Sequence, residues 1–356
     1  MNYYIKSIFG LSLFCCVVLL SSCEEKTQYY TIDDFREVPK IDAHFHYFSL
    51  DDRYMDYVSS MNFKLLSPNV DSGYPVDEQL KISAEILQRH AGMYAFLGTF
   101  SVEHYGEPGF SESIVEVIDH CMDEGASGIK IWKNIGMVLQ DSSGRYVMAD
   151  DPAFEPVFRN LEEKKIPLLA HLGEPRNCWL PLEEMTDDGD RSYYGNNPQY
   201  HMYLHPERPS YEDQINTRDK LLEKYPGIIF IGAHLGSLEW NVDSLAKRLD
   251  QYPHFKVDMS ARIGHLRNQS SEDWDRVRNF MIQYQDRLLY ATDMSVNDLR
   301  DDDLDEKIKS INNTWMRDWL YLATDSTVND IRGLQLPKEV IDKVYYTNAE
   351  FLFHGS

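Results

Sequence analysis

Short apolar runs alternate along this chain with segments whose apolar residues recur at helical spacing. The runs Ile41–His44, Phe63–Leu66, Met93–Phe100, Gly128–Trp132, Ile166–Ala170, Ile228–Gly232, Phe255–Met259 and Leu288–Ala291 read as strands. The fifth is nearly all apolar, as a strand buried on both faces requires. Helical patterns cover Met55–Ser60, Glu78–His90, Ser111–Asp123, Pro152–Glu163, Tyr211–Lys224, Val242–Leu249 and Ser271–Tyr284, the last with Ser271 as its cap. Pro337–Phe353 closes the chain as a helix. Eight strands alternating with helices predict an α/β fold, a (β/α)8 TIM barrel. An open doubly wound sheet would not normally gather polar residues at so many strand ends, and no Gly-rich dinucleotide or phosphate loop supports it. Two stretches depart from the alternation. A long loop insertion, Pro175 to Ser210, follows strand five and is rich in Tyr, Pro, Asn and Trp. An extended segment follows strand eight, with Asp301, Asp302, Asp303, Asp305 and Glu306 ahead of a helical pattern through Trp315, Trp319 and Leu322.

The beginning of the chain stands outside this pattern. Lys6 precedes the apolar run Ile8 to Leu20, too short for a comfortable transmembrane helix, and Leu20-Ser21-Ser22-Cys23 follows. The residues read as an export signal, and they resemble a bacterial lipoprotein signal. That resemblance implies a signal peptide over 1–22, cleavage before Cys23 and a lipid on its thiol, a polar tether over 23–38, and a barrel over 39–356. The protein would then be exported and lipid-anchored to a bacterial membrane, periplasmic or at the cell surface. The formal net charge of −23 over 356 residues argues against nucleic acid as a partner, since phosphates need clustered Lys and Arg. Of five cysteines, Cys15 and Cys16 lie in the signal and Cys23 is the lipid site. Cys121 reads as helix core and Cys178 as a loop thiol near the mouth, so no disulfide framework is indicated.

The chemistry gathers at the strand ends. Strand one offers His44 and His46, strand four Lys130, strand five His171, strand six His234 and strand eight Asp293. Ile129 and Ile131 alternate with Lys130, and Ile41, Ala43 and Phe45 alternate with the two histidines. If the apolar set faces the helices, the polar set faces the barrel axis. Three or more His with an Asp can hold a catalytic divalent metal and leave a position open for water.

His-x-His after strand one, His after strands five and six, and Asp after strand eight resemble the amidohydrolase superfamily. Gly232-Ala233-His234-Leu235-Gly236-Ser237 and Asn348-Ala349-Glu350-Phe351-Leu352-Phe353 are similar to its amidohydrolase-2 branch, with relatives of aminocarboxymuconate semialdehyde decarboxylase. The resemblance implies that His44, His46, His171 and Asp293 bind a divalent metal, zinc, with one ion favoured. A second ion would be present if Lys130 were carboxylated and bridged the two; otherwise Lys130 pairs with a carboxylate or holds a substrate acid group. His234 would polarise substrate or orient the water, and Asp293 would shuttle the proton.

The small-molecule substrate is less legible. Arg262, just after strand seven, is placed to meet an anionic group. Trp132, Trp179, Tyr193, Tyr194 and Tyr203 would either wall the mouth or pack the insertion, which is expected to form a lid. His104, His201, His205 and His265 read as structural loop residues. The leading expectation is a metal-dependent hydrolase that cleaves an amide, ester or lactone bond. The alternatives are a non-oxidative decarboxylase or hydratase of an aromatic or unsaturated acid, and a surface-anchored binding protein without catalysis.

Overall fold

The computed structural model describes residues 28–297 and 303–353. Eight parallel strands form the barrel: β1 (Lys40–Asp42), β2 (Phe63–Pro68), β3 (Tyr94–Leu97), β4 (Ile129–Ile131), β5 (Leu168–Ala170), β6 (Phe230–Gly232), β7 (Phe255–Asp258) and β8 (Leu288–Leu289). Hydrogen-bonded ladders run β1 to β3 and β4 to β8. Two seams close the ring. Gly98 N donates to Gly128 O (2.9 Å) and Lys130 N to Gly98 O (2.7 Å), joining β3 to β4. Ala43 N donates to Tyr290 O (3.0 Å), joining β8 to β1. Beyond the second seam the ladder resumes at the mouth, where His46–Phe48 pairs in parallel with Ser295–Asn297.

The helices pack outside: α1 (Asp52–Ser60), α2 (Val76–Arg89), α3 (Phe110–Asp123), α4 (Glu155–Lys164), α5 (Tyr211–Lys224), α6 (Val242–Gln251), α7 (Ile263–Glu272), α8 (Trp274–Gln283) and α9 (Leu304–Ala323). The cap expected at Ser271 is instead Asp273, which accepts from Arg276 N; Ser271 lies in the preceding helix α7. A carboxylate is the better acceptor for the unpaired N–H groups of a first turn. Cys121 is buried in α3, as expected.

Two cores follow from strand alternation. Phe63, Leu65, Tyr94, Phe96, Ile129, Ile131, Phe255 and Val257 face the helices. Leu66, Ala95, Leu97, Leu169, Ile231 and Leu289 fill the barrel interior, and Ile41 and Ala43 belong with them. The strand-one parity expectation is therefore overturned. Ile41 and Ala43 point to the axis, and Asp42 points outward, where its Oδ2 accepts from Trp315 Nε1 of α9 (3.0 Å). The chain then bends at residues 43–44, which breaks the alternation.

The segment 1–27, including Cys23, and the acidic residues Asp301 and Asp302 lie outside the described residues. From Gln28 on, the expected tether lies against the barrel. Tyr29 bridges Pro337, Phe35 and Val38 are buried, and Trp319 Nε1 donates to Thr31 O (3.0 Å). Among the described residues, no helix is long and apolar enough to cross a membrane.

The insertion is not an open loop. It contains a helix, Asp188–Asn196, several 3-10 turns, and a small core of Cys178, Met185, Tyr194 and Met202 that packs with Met137. Cys178, expected as a loop thiol, is fully buried there, with Sγ 3.1 Å from Tyr200 O.

Candidate metal centre

Three of the expected ligands meet at the barrel mouth. His44 Nε2 and His46 Nε2 each lie 3.3 Å from Asp293 Oδ1. The seam between β8 and β1 brings them together. Asp293 follows β8, and its N–H donates to His44 O (2.8 Å). Its backbone is left-handed (φ 63°), a conformation that Asp tolerates better than most residues.

The partners behind the imidazoles fix their tautomers. His44 Nδ1 lies 2.8 Å from Asp258 Oδ2 at the end of β7. His46 Nδ1 lies 3.0 Å from the Pro68 carbonyl, which can only accept. Both rings therefore keep a proton on Nδ1 and turn Nε2 toward the Asp293 carboxylate. Two Nε2 atoms and a carboxylate oxygen turned on one point call for a positive charge between them, a proton or a metal ion, and this donor set fits a divalent metal. Lys130 Nζ, 3.3 Å from His44 Nε2, supplies one positive charge at the edge of the group.

His171 lines the same cavity but does not share the tight spacing of the other three. Its buried Nε2 has no hydrogen-bond partner and lies 3.8 Å from Glu174 Oε2, a setting that suits a metal ligand. His234 stands one layer behind. Its ring meets His171 edge to face at 4.3 Å and His44 at 5.2 Å between centroids. Its Nδ1 donates to Ser260 O (2.9 Å).

Asp258 links these groups, and the sequence reading missed it. Besides His44, its carboxylate accepts from His234 N (2.8 Å) and Ser260 N (3.1 Å). Asp42, also missed, accepts from Thr292 N (3.0 Å) and Thr292 Oγ1 (2.7 Å), immediately before Asp293. The available signal was a strand interrupted by an acidic residue among apolar ones, which requires a buried partner.

Charge follows from these contacts. Burial alone would raise the Asp293 carboxyl, but the imidazoles of His234, His44 and His46 outweigh it and hold the group well below the usual range. At Asp258 burial is likewise outweighed by His44, His234 and Lys130. Burial pushes His44, His171 and His234 down, and nearby ammonium groups add to this, Lys130 at His44 and Lys133 followed by Lys130 at His171. Burial lowers Lys130 to about 8 against the pull of Asp258 and Asp293.

A family model described as Amidohydrolase matches residues 41–355. The chain belongs to that family. Among solved structures, this amidohydrolase is similar to an uncharacterized TIM-barrel protein, Bb4693, from Bordetella bronchiseptica, at 14% identity and a TM-score of 0.52, covering 86% of this chain and 83% of that one. It is also similar to a 2,6-dihydroxybenzoate decarboxylase complexed with 2,6-dihydroxybenzoate, at 14% identity and TM-score 0.52, over 89% of this chain and 99% of that one. A 2,6-dihydroxybenzoate decarboxylase from Rhizobium gives 15% identity and TM-score 0.50 over the same shares. These likenesses establish the TIM-barrel fold. No curated protein matches the chain.

The cavity of this amidohydrolase has a volume of about 420 Å³ and is lined by His44, His46, Lys130, Trp132, Lys133 and Asp293, with Phe48 and Tyr74 among its aromatic walls. Lys133 pairs with the buried Glu174, which overcomes burial and raises its ammonium above the ordinary range. Lys133 was not singled out from the sequence, because nothing in its spacing separates it from a surface lysine.

Arg262 is placed differently from its expected role. It is 9% exposed and is not among the cavity-lining residues. Asp190 and Glu239 face its charge and hold it ionised despite burial. Asp190 comes from the insertion and lies 3.2 Å from His265 Nε2 of α7. Arg262 and His265 therefore seat the insertion against α7. Trp179 and Tyr194 pack within the insertion, and Tyr193 and Tyr203 are exposed on it; of the expected mouth aromatics, Trp132 alone lines the cavity.

Proposed function

We propose that this amidohydrolase is a divalent-metal-dependent, non-oxidative decarboxylase of a small planar aromatic or unsaturated carboxylic acid. The observation that carries the reading is the wall formed by the end of β4. Lys130 and Lys133 flank Trp132 in a cavity whose other face is the His44–His46–Asp293 group. Two ammonium groups beside an indole suit a planar anion, whereas a neutral amide or ester has no use for them. Lys130 faces Asp258 and Asp293 and Lys133 pairs with Glu174, so an acidic substrate would have to compete with these carboxylates for the two ammonium groups. The solved decarboxylases share the fold; the proposal rests on the cavity.

His44, His46, His171 and Asp293 would hold one zinc-like ion, with Lys130 kept as an uncarboxylated ammonium. When bound, the ion supplies Lewis acidity that polarises a substrate oxygen near the reacting carbon. The chain's own groups do the rest. Trp132 offers a face for the planar acid, and Lys133 meets its acidic edge. Asp293, ionised in this environment, would take one proton from solvent and pass it to carbon, so that each turnover consumes one proton. The bond to the carboxylate breaks, carbon dioxide leaves, and the electron pair left on carbon takes that proton.

Assaying a panel of hydroxylated aromatic acids and lactones with added zinc or manganese tests this. Release of carbon dioxide is the expected result; a new carboxylate from a lactone or ester would return the hydrolase reading. Export and anchoring are part of the proposal too. Acylation at Cys23 would tether the barrel to a membrane, and Cys23→Ala should move the protein out of the membrane fraction.

A further inference from the structure

The most unusual backbone in the molecule lies directly after β6. Four successive residues are left-handed: His234 (φ 59°), Leu235 (57°), Gly236 (60°) and Ser237 (57°). Single residues visit this region, and runs of L-residues there are disfavoured at every step. Such a turn persists only where its surroundings over-determine it, and strain of this kind gathers at functional sites.

Two side chains of α5 hold this turn. Arg218, 2% exposed, donates through Nη1 to Gly236 O, and Tyr211 donates through its hydroxyl to Ser237 O. Trp240 Nε1 in turn donates to the Tyr211 hydroxyl (2.8 Å). Between them in sequence, Gln214 Nε2 donates to Gly136 O (2.8 Å), in the turn that follows Trp132 and Lys133. The same Gln214 packs on Gly173, two residues after His171, so closely that a Cβ there would come within 3.0 Å of its own Cβ. Ser237 Oγ donates to Leu172 O (3.1 Å) and ties the β5 and β6 loops to each other.

Residues 211, 214 and 218 share one helical face, by the spacing of three and four that places side chains in a row. That face is polar and buried, an arrangement that helix stability alone does not call for. Each of the three residues has a donor that ends on the backbone of a loop bearing a cavity residue or a candidate ligand; Arg218 also pairs with Asp219 through Nε and Nη2.

We infer that Tyr211, Gln214 and Arg218 form a positioning comb that sets the loops after β4, β5 and β6, and through them the rings of His171 and His234 and the Trp132–Lys133 wall. The comb begins at the residue after the insertion. Ser210 and Asp213 cap α5 reciprocally, so the seating of the insertion is passed directly to the comb. These are positioning residues, since none of the three lines the cavity. The inference rests on the metal reading only for the effect on ion binding.

The experiment compares wild type with Arg218→Met and, as the milder variant that keeps its ring, Tyr211→Phe. Amide hydrogen exchange is followed over 134–137, 171–174 and 233–238, with binding and visible absorption of cobalt(II) as the second readout. The comb predicts exchange in these loops faster by about tenfold and cobalt binding weaker by about tenfold with a changed spectrum, at the scale of second-layer effects on metals, while α3 and α9 exchange as in wild type. A fall in thermal midpoint with uniformly faster exchange and an unchanged cobalt affinity would overturn it. If Arg218→Met does not fold, Tyr211→Phe decides by the same criteria. Cobalt failing to bind wild type, with loop exchange still responding in the variants, would refute the metal reading and leave the comb standing.

Discussion

The foot and the mouth of this barrel each bury a lysine completely, and the two are opposites. Lys40, at the start of β1, donates to Phe35 O and Val38 O (2.5 Å to the latter) and sits 4.8 and 4.9 Å from the rings of Phe35 and Phe63. Its direct partners are backbone carbonyls and aromatic faces, which cannot titrate or exchange a ligand, and the one carboxylate that acts on it, Glu37, does so from beyond hydrogen-bond contact. Lys130, at the end of β4, faces His44, Asp258 and Asp293, which can. Burial is equal at the two ends, so burial does not mark the functional lysine. Its neighbours mark it: ionisable groups whose own donors and acceptors are left facing one another.

The largest effect that would sharpen this contrast belongs to Asp293→Asn. Turnover should fall by about 10³-fold, within the range of a lost acid–base group, with the far-UV circular dichroism unchanged. Retained turnover would remove the proton role from the mouth. Next comes Asp258→Asn, which leaves His44 Nδ1 without its carboxylate. Metal affinity measured by competition with a chromophoric chelator should weaken by about 10–100-fold, and an unaltered affinity would mean that His44 is no ligand.

At the foot, Lys40→Met should destabilise the fold by about 2 kcal/mol, because two buried carbonyls lose their donor. Turnover per folded molecule should not change; a selective loss of activity would break the contrast between the two ends. The pH dependence carries a sign. Burial lowers Lys40 to about 7 in the folded protein, against 10.5 for an ordinary lysine. Between these values the unfolded chain binds the extra proton, so stability rises with pH across that window, falls as pH drops from 10.5 toward 7, and is independent of this residue's titration below about 7. Urea melts of wild type and Lys40→Met at pH 7 and pH 9.5 should show that gain only in wild type. The smallest effect is expected for Trp132→Leu, a KM increase of about two- to tenfold from the lost stacking face, measured at saturating metal.

Much of the site was legible along the chain because barrel strands deliver their chemistry at one end. The order His44, His46, His171, His234, Asp293 could be read from the ends of apolar runs, and the structure brings the four rings and the one carboxylate into one neighbourhood. The parity argument that sent His44 inward was wrong in its reason. Asp42 faces α9, and His44 reaches the mouth through the bend at 43–44. Alternation holds only while the strand does. Arg262, expected to meet an anionic group of the substrate, is faced by Asp190 and Glu239 for a related cause. Its position after β7 was right, but whether a strand-end cation meets substrate or an internal carboxylate depends on Asp190, some 70 positions earlier in an insertion with no readable register.

The sequence by itself determined the alternation of strand and helix, the barrel, and the residue types at its mouth, since these follow from period and local polarity. Tertiary structure alone decided which of two buried lysines is surrounded by titratable groups, that Asp258 stands behind His44, and that Lys133 rather than Arg262 faces the cavity. The physical reason is that a side chain's charge state, tautomer and accessibility are set by neighbours within a few ångströms, and the chain brings those neighbours from positions tens to hundreds of residues away.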